Sequence, residues 1–257
     1  MNICLFEPDE IGLPLDLGDK RTVHILKVLR KAQGDSFCAG VIGGQAGRAL
    51  ITRIVRDEQK AHKGKLFFEF VPESEGKRLF PLAVVVGFSR PVQMRRILRD
   101  LSSLGVAEIH LALTDLSEKS YLSSSLATKE NCRAFLIEGA VQAGSTHLPE
   151  LSLHLSLAKC LDTLQTKMSD CALFALDNVA PVQSLGAALR MPPQAAVAAV
   201  GSERGWTQEE RQLLRARGFT LVGLGERVLR VETACTAATS LILSAMGYLR
   251  LDTDRML

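Results

Sequence analysis

The chain contains 257 residues, 47% of them apolar, which is enough for a sizeable core in one large domain or two smaller domains. Its formal net charge of +3 is mildly basic and is compatible with a nucleic acid partner without requiring one. Residues 1–10 carry no signal peptide pattern, and the least charged long segment, Thr233–Leu249, is short for a membrane span, so we expect a cytoplasmic protein that does not enter a membrane.

Residues 1–74 are rich in short strand-like runs separated by turn residues, which predicts a small β-rich domain. A basic segment precedes most of these runs: from Lys20 to Lys31 there are five Lys or Arg residues and no acid. Such a segment is either a solvated face of a short helix or a surface that contacts RNA phosphates. Its candidate RNA contacts are Lys20, Arg21, His24, Lys27, Arg30 and Lys31.

Val71–Pro81 is polar with prolines near both ends, and we predict a linker there. Beyond it, Leu82–Phe88 is a continuous apolar run typical of a buried parallel strand. A helix is predicted next, with Pro91 in its first turn and Gly105 at its end. Strands and helices alternate from here on, so residues 75–257 are predicted to form an α/β domain with helices on both faces of its sheet.

The helix after Pro91 has two different faces. Its apolar residues fall at helical spacing and are predicted to be buried; they are Met94, Ile97, Leu98 and Leu101. Arg95 and Arg96 lie on the other face, either as ordinary surface charge or as further RNA contacts.

Two small-residue turns stand near the end of the chain, GSERG at Gly201–Gly205 and LGERVLR at Leu224–Arg230. Each follows a strand-like run and precedes a helix-like one, and glycine lets a ligand approach the main chain closely. Between the turns, Thr207 and Glu210 form a capping-box pattern at the start of a helix. The last helix is predicted from near Glu232 to about Arg250. The turns can form two walls of one pocket.

In order and spacing, the two turns resemble the cofactor loops of the SPOUT RNA methyltransferases, and more narrowly those of the RsmE family, which read roughly GPEGGFS and LG-x-RILR-x-ETA. The matching residues are Gly201, Glu203, Gly205, Leu224, Gly225, Arg227, Leu229, Arg230, Glu232, Thr233 and Ala234. Ser202 and Arg204 depart from the family pattern, which has proline and glycine at these positions. The resemblance implies an S-adenosylmethionine-dependent enzyme that methylates N3 of a uridine in small-subunit (16S) ribosomal RNA.

The resemblance also implies an architecture: a SPOUT trefoil-knot α/β domain after a small PUA-like β-barrel that binds RNA, and a homodimer that acts on ribosomal RNA or the small ribosomal subunit. It implies a cofactor site made by Leu176, Asp177, Gly201, Ser202, Glu203, Gly205, Leu224, Gly225, Val228, Leu229, Arg230 and Thr233. As catalytic residues it implies Arg230, to stabilise charge on the uracil or hold a phosphate, and Glu232, as a base or to orient Arg230.

The cysteines and histidines suggest no metal site. None of the six cysteines forms a C-x-x-C pair, so we expect buried free thiols in a reducing cytosol. The five histidines are scattered along the chain without an H-E-x-x-H motif.

Two other functions remain open at this point. One is an RNA-binding protein on the same scaffold whose catalysis is lost or altered, because the GSERG turn departs from the family pattern. The other is a nucleotide-dependent oxidoreductase, which rests only on Gly223–Val228 and lacks a complete G-x-G-x-x-G motif.

Overall fold

The computed structural model describes residues 2–57, 63–118, 120 and 128–250. Contacts within the chain divide it into two units. The first comprises Met1–Arg78 and Ile137–Leu148, and the second comprises Leu79–Leu136 and Pro149–Leu257. None of the helices in the described ranges combines the length and apolarity that a membrane span requires.

A five-stranded mixed sheet forms the first unit, in the order β1-β3-β4-β5-β2. Its strands are β1 (Cys4–Phe6), β2 (Leu15–Asp16), β3 (Ser36–Val41), β4 (Ala46–Arg56) and β5 (Gly64–Ser74). Strand β1 pairs with β3 in parallel and the other pairs are antiparallel. Buried side chains such as Phe6, Ile25, Ile51 and Leu66 pack against one another and form the core of this unit. The sheet confirms a small N-terminal β domain.

The predicted linker at Val71–Pro81 is only partly correct. Strand β5 continues to Ser74, and the next strand already begins at Phe80. Residues 71–74 belong to the strand because they pair with β4, in a register that runs from Ala46↔Ser74 to Arg48↔Val71. The prolines at 72 and 81 were therefore misleading as breakers, since proline is tolerated on a strand edge.

The basic segment folds as α1 (Lys20–Val23), followed at once by a π-helical turn over His24–Val28. The Asp19 side chain caps α1 by accepting a hydrogen bond from the Arg21 backbone N–H at 2.7 Å. After the turn, Arg30 takes a φ of 53°, a left-handed conformation that costs a non-glycine residue of order 1 kcal/mol.

A seven-stranded parallel sheet forms the second unit, in the order β10-β12-β9-β11-β6-β7-β8. The strands are β6 (Phe80–Gly87), β7 (Val106–Ala112), β8 (Glu150–His154), β9 (Ala172–Leu176), β10 (Gln183–Ser184), β11 (Ala196–Val200) and β12 (Thr220–Gly223). The helices are α2 (Pro91–Leu104), α3 (Lys129–Ala143), α4 (Leu157–Met168), α5 (Leu185–Ala188), α6 (Gln208–Ala216) and α7 (Val231–Ala245). The α/β architecture expected for this part of the chain is confirmed.

The helix boundaries follow the predicted signals. Pro91 opens α2, and Gly105 closes it in the left-handed conformation. Thr207 and Glu210 make both hydrogen bonds of the capping box at the start of α6. Helix α7 is shorter than predicted and ends at Ala245 rather than near Arg250, because Gly247 takes a φ of 86° that ends a helix.

The sheet brings four loops to one edge. Strands β12, β9, β11 and β6 are neighbours, and all of them are parallel. Val200, the last residue of β11, pairs with Val86 on one side and with Leu176 on the other. The loops after these strands therefore start at the same level, and the carboxyl edge of an open α/β sheet is where ligands bind.

Candidate functional site

A cavity of about 710 Å³ lies at the carboxyl ends of these four strands. Eleven of the twelve predicted cofactor contacts line it: Leu176, Asp177, Gly201, Ser202, Glu203, Gly205, Leu224, Gly225, Val228, Leu229 and Arg230. The twelfth, Thr233, lies one helical turn into α7, is exposed, and does not line the cavity. Both predicted catalytic residues, Arg230 and Glu232, also line it. The sequence motifs thus coincide with a cavity of the second unit.

The GSERG turn is closed by an internal hydrogen bond, and its backbone is not strained at Arg204, which departs from the family pattern. The Gly205 N–H donates to the Ser202 carbonyl at 2.9 Å, and Gly205 itself takes the left-handed φ of 73°. Arg204 does not have a positive φ, so arginine can replace the family's glycine at no backbone cost. A Cβ on Gly201 would lie 2.9 Å from the Gly205 carbonyl carbon, which explains why this position needs glycine.

Three contacts fix the turn against its neighbours. The Glu203 carboxylate accepts a hydrogen bond from the Arg90 backbone N–H at 2.8 Å. The buried Trp206 indole donates to the Leu176 carbonyl at 2.9 Å. A Cβ on Gly87 would collide with the Ser202 backbone nitrogen, so the end of β6 touches the turn directly. The loop is thereby preorganised by β6, α2 and β9.

Asp177, a predicted cofactor contact, forms a buried ion pair with Arg211 of α6. The Arg211 Nε atom lies 2.5 Å from Asp177 Oδ2, and the two side chains are 9% and 1% exposed. Burial alone would raise the pKa of Asp177, but the Arg211 guanidinium and the Val179 backbone N–H lower it below the usual value. The carboxylate is therefore ionised and fixes the loop that follows β9.

Glu210 joins α6 to the loop after β7. Its carboxylate accepts the backbone N–H groups of Thr207 and Asp115, each at 2.9 Å. Burial raises the pKa of Glu210, and these two hydrogen bonds reduce the effect. The capping box predicted from sequence therefore has a second task, which is to hold the backbone at Asp115.

Arg230 and Glu232 stand where the last loop becomes helix α7. Arg230 is the N-cap residue and its side chain is exposed, whereas Glu232 lies in the first helical turn with a side chain 12% exposed. The Glu232 carboxylate lies 3.7 Å from Arg96 of α2. An acid at this position also suits the positive end of the helix dipole.

The predicted RNA contacts divide between the two units. On the first unit, Lys20, Lys27 and Arg30 are exposed, and His24 and Lys31 line a second cavity of about 260 Å³. On the second unit, the exposed face of α2 carries Arg95 and Arg96, and the Arg95 guanidinium lies over the Phe135 ring at 5.4 Å.

Arg21 differs from its neighbours in the basic segment. Its guanidinium pairs with Glu10 at 2.9 Å and Asp19 at 2.8 Å, and it also donates to the Leu5 carbonyl. Two carboxylates already neutralise this charge, so the geometry favours a structural role, and the RNA contact of Arg21 stays a prediction.

The sequence missed several residues of the cavity. Arg90 and Gln93 line it from the start of α2, a segment assigned only to a helix and a basic face. The signal that points to them is their position directly after a buried parallel strand. Within the described part of the chain, Gln93 Oε1 and Ser202 Oγ are buried and have no hydrogen-bond partner. A ligand in this cavity would find both atoms available.

Comparisons with known proteins show the family of this chain. A family model described as an RNA methyltransferase domain matches residues 76–243. The chain is 42% identical to ribosomal RNA small subunit methyltransferase E of Treponema pallidum (strain Nichols), covering 95% of this chain and 91% of that protein. It is 30% identical to ribosomal RNA small subunit methyltransferase E 1 of Borreliella burgdorferi, covering 96% and 99%.

Solved structures share the fold. The crystal structure of a ribosomal RNA small subunit methyltransferase E from Neisseria gonorrhoeae, bound to S-adenosyl methionine, superposes with a TM-score of 0.71 at 23% identity and covers 95% of this chain and 97% of that one. A probable rRNA-methyltransferase from Porphyromonas gingivalis gives a TM-score of 0.72 at 20% identity, with 96% and 100% covered. Taken with the sequence relatives, these matches place the chain in the RsmE family of RNA methyltransferases.

Proposed function

We propose that this protein transfers a methyl group from S-adenosylmethionine to N3 of a uridine in small-subunit (16S) ribosomal RNA. The observation that carries the proposal is the cavity at the carboxyl ends of β12, β9, β11 and β6, whose walls contain both motif loops. The names of the relatives, ribosomal RNA small subunit methyltransferases, support the substrate class. We place the reaction in the cytoplasm, because bacterial ribosomal RNA is transcribed and assembled into ribosomal subunits there.

The cavity fits the cofactor in size and chemistry. Its volume of about 710 Å³ lies in the range of small-molecule sites, roughly 300–1,000 Å³. Apolar side chains such as Leu176, Val200 and Leu224 can cover an adenine ring, and the backbone of Gly201 and Gly225 is open to hydrogen bonding. The unpartnered Ser202 Oγ and Gln93 Oε1 provide polar anchors. The methyltransferase from Neisseria gonorrhoeae was crystallised bound to this same cofactor.

Once bound, S-adenosylmethionine supplies a methyl group on a positively charged sulfur that a nucleophile attacks in line. The protein has to align the two partners and exclude water, and positioning of this kind provides a large part of such rate enhancements. The fixed turn at Gly201–Gly205, held by Trp206 and Arg90, performs the alignment on the cofactor side.

Arg230 acts on the RNA side. As the uracil loses its N3 proton, negative charge develops on the adjacent carbonyl oxygens, and a fixed cation lowers the energy of that state. The exposed Arg230 guanidinium at the mouth of the cavity is available for this purpose. Exposed Lys20, Lys27 and Arg30 on the first unit, and Arg95 and Arg96 on the second, contact phosphates and position the RNA.

Glu232 has three candidate roles: the base that takes the N3 proton, a group that orients Arg230, and an anchor for Arg96. The 3.7 Å contact with Arg96 favours the anchor. We therefore expect Glu232→Gln to lower the methylation rate by less than about tenfold and to leave the shape of its pH profile unchanged, because a general base contributes about 10²–10⁴-fold. Single-turnover rates across pH measure this, and loss of the acidic limb, the fall in rate at low pH, in Glu232→Gln would restore the base assignment.

Gly87→Ala is expected to weaken S-adenosylmethionine binding by about 5–150-fold, the equivalent of the roughly 1–3 kcal/mol that overpacking costs, because its new methyl would displace the Ser202 backbone that lines the cavity. The matched control is Gly186→Ala in α5, where a Cβ meets nothing within 4 Å. Calorimetric titration of both variants measures the effect. Equal affinities would show that the contact between β6 and the turn does not shape the site.

The proposed function is tested by calorimetric titration of the purified protein with S-adenosylmethionine, followed in the same sample by transfer of labelled methyl to small-subunit RNA or to 30S subunits. We expect one cofactor per chain and transfer to at least one of the two substrates. Binding without transfer to either would favour the RNA-binding protein with lost catalysis. No binding by the folded protein would contradict the proposal.

We further propose that the active form is a homodimer. The exposed Leu241 side chain and the small residues of α7 are compatible with a second copy packing on this helix, and most soluble oligomers are symmetric homo-oligomers. Light scattering measures the molar mass of the purified protein in solution. A molar mass of one chain, at the protein concentration used in the methylation assay, would exclude the homodimer.

A further inference from the structure

Outside the cavity, three possible metal ligands converge on one point of the second unit. They are His110 on β7, His154 at the end of β8 and Cys160 in α4, and their ligand atoms lie within 4.8 Å of one another. His110 Nδ1 and His154 Nε2 are only 3.0 Å apart. We propose that this cluster binds one divalent transition-metal ion of the zinc class through two imidazole nitrogens and one thiolate.

The fold itself brings the ligands together. Strands β7 and β8 are parallel, and His110 pairs with Ser152, two residues before His154. Residues two apart in a strand point to the same face, so both rings project from one face of the sheet. Helix α4 packs on these two strands and brings Cys160 to the same place. The cluster is therefore formed by three rigid elements, and sequence spacing alone could not reveal it.

A second layer of contacts supports metal binding. His110 Nε2 lies 3.1 Å from Glu108 Oε2, and the Lys167 ammonium donates to the same oxygen at 2.8 Å. In metal sites the ligand histidine usually donates its other N–H to a carboxylate, which fixes the ring and the tautomer. With the Nε2 proton held by Glu108, Nδ1 keeps its lone pair, and this atom lies 3.0 Å from His154 Nε2.

The distances suit a tetrahedral ion with these three protein ligands and a water molecule in the fourth position. Zinc–nitrogen bonds of about 2.0–2.1 Å place two ligand nitrogens about 3.3 Å apart, close to the 3.0 Å between His110 and His154. A zinc–sulfur bond of about 2.3 Å requires the Cys160 sulfur within about 3.6 Å of each nitrogen. The Cys160 sulfur lies at most 4.8 Å from each nitrogen, so metal binding requires these atoms to approach by at most about 1 Å. Nitrogen and thiolate ligands favour zinc or cobalt over magnesium or calcium, which take oxygen.

The expected role is structural. Strand β8 is the edge strand of the seven-stranded sheet, and a metal ion would tie it to β7 and α4. None of the three ligands lines the 710 Å³ cavity. His110 is 4% exposed and Cys160 fully buried, so His154, which is only half-buried, provides the side from which an ion enters. The proposal is independent of the methylation reaction.

The test is a titration of the full-length protein, stripped of metal by chelation and dialysis, with Co²⁺ and then with Zn²⁺. We expect one Co²⁺ per chain, a thiolate-to-cobalt charge-transfer band, the strong visible bands of tetrahedral cobalt, and displacement of cobalt by zinc. Cys160→Ala is expected to abolish the charge-transfer band. Glu108→Gln is expected to weaken cobalt binding by about 10–100-fold, the usual cost of losing such a partner. Cys38→Ala, which removes an exposed thiol, is the matched control.

Three results would overturn the proposal: no cobalt–thiolate absorption in the wild type, a band that persists in Cys160→Ala, or a band that disappears in Cys38→Ala. Circular dichroism of each metal-free variant checks that it folds. If Cys160→Ala does not fold, His154→Gln at the half-buried ligand takes its place. Cobalt affinity then has to fall at least about tenfold, and unchanged affinity would exclude the site.

Discussion

Replacing Arg230 with alanine is expected to lower the rate of methyl transfer by about 10²–10³-fold while leaving S-adenosylmethionine affinity nearly unchanged. This is the usual cost of removing one group that stabilises charge in a transition state, about 2.7–4 kcal/mol. Arg230 is suited to that role because it is exposed at the cavity mouth, at the N-cap of α7, and its φ and ψ of −66° and 153° are unstrained. Removing its side chain therefore need not disturb the loop.

Single-turnover methylation and cofactor titration of the same sample separate the two effects. Arg215→Ala, on the exposed last turn of α6, is the control and should behave as the wild type. If Arg230→Ala methylated RNA at the normal rate, the proposed charge stabilisation would be wrong. If cofactor affinity and rate fell together, Arg230 would belong to the cofactor site instead.

Asp177→Asn is expected to cost about 3–5 kcal/mol of unfolding free energy, because it leaves the Arg211 guanidinium buried without its counter-charge. The matched control is Asp162→Asn, which removes an ion pair with Arg217 whose side chains are 59% and 29% exposed. That exposed pair should contribute less than about 1 kcal/mol. Urea unfolding of both variants at neutral pH measures the difference, and equal small losses would show that the buried pair adds little.

The same pair predicts a dependence on pH. The pKa of Asp177 is lowered in the folded protein, so its contribution is complete well above the unfolded value of about 3.9 and is lost as pH falls toward the lower folded value. The stability gap between the wild type and Asp177→Asn should therefore narrow below about pH 4. A gap that stays constant on acidification would mean that another group is responsible.

The sequence was informative wherever the signal is local. Pro91, Gly105 and the Thr207–Glu210 capping box mark helix ends through interactions within a few residues, and the structure confirms all of them. The continuous apolar run before Gly87 identifies a buried parallel strand for the same reason. Since strand ends of a parallel sheet share one edge, the two motif loops could be placed together from their positions in the sequence alone.

Contacts between distant residues could not be predicted in this way. Arg211 reaches Asp177 across 34 positions, and Arg90 reaches Glu203 across 113. The cluster of His110, His154 and Cys160 likewise depends on the pairing of β7 with β8, which no spacing reveals. The predicted trefoil knot, the PUA-like closure of the first sheet and the homodimer rest on the family resemblance and stay predictions.

The most direct test of the central claim is mass spectrometry of nucleosides from small-subunit RNA methylated by this protein in vitro. We predict that the transferred methyl appears as 3-methyluridine at one position of the RNA. We also predict that 3-methyluridine is absent from RNA that was incubated with the Arg230→Ala variant for the same single-turnover reaction time. A methyl group on a ribose, or on any base atom other than uridine N3, would contradict the proposed chemistry even if the protein binds S-adenosylmethionine.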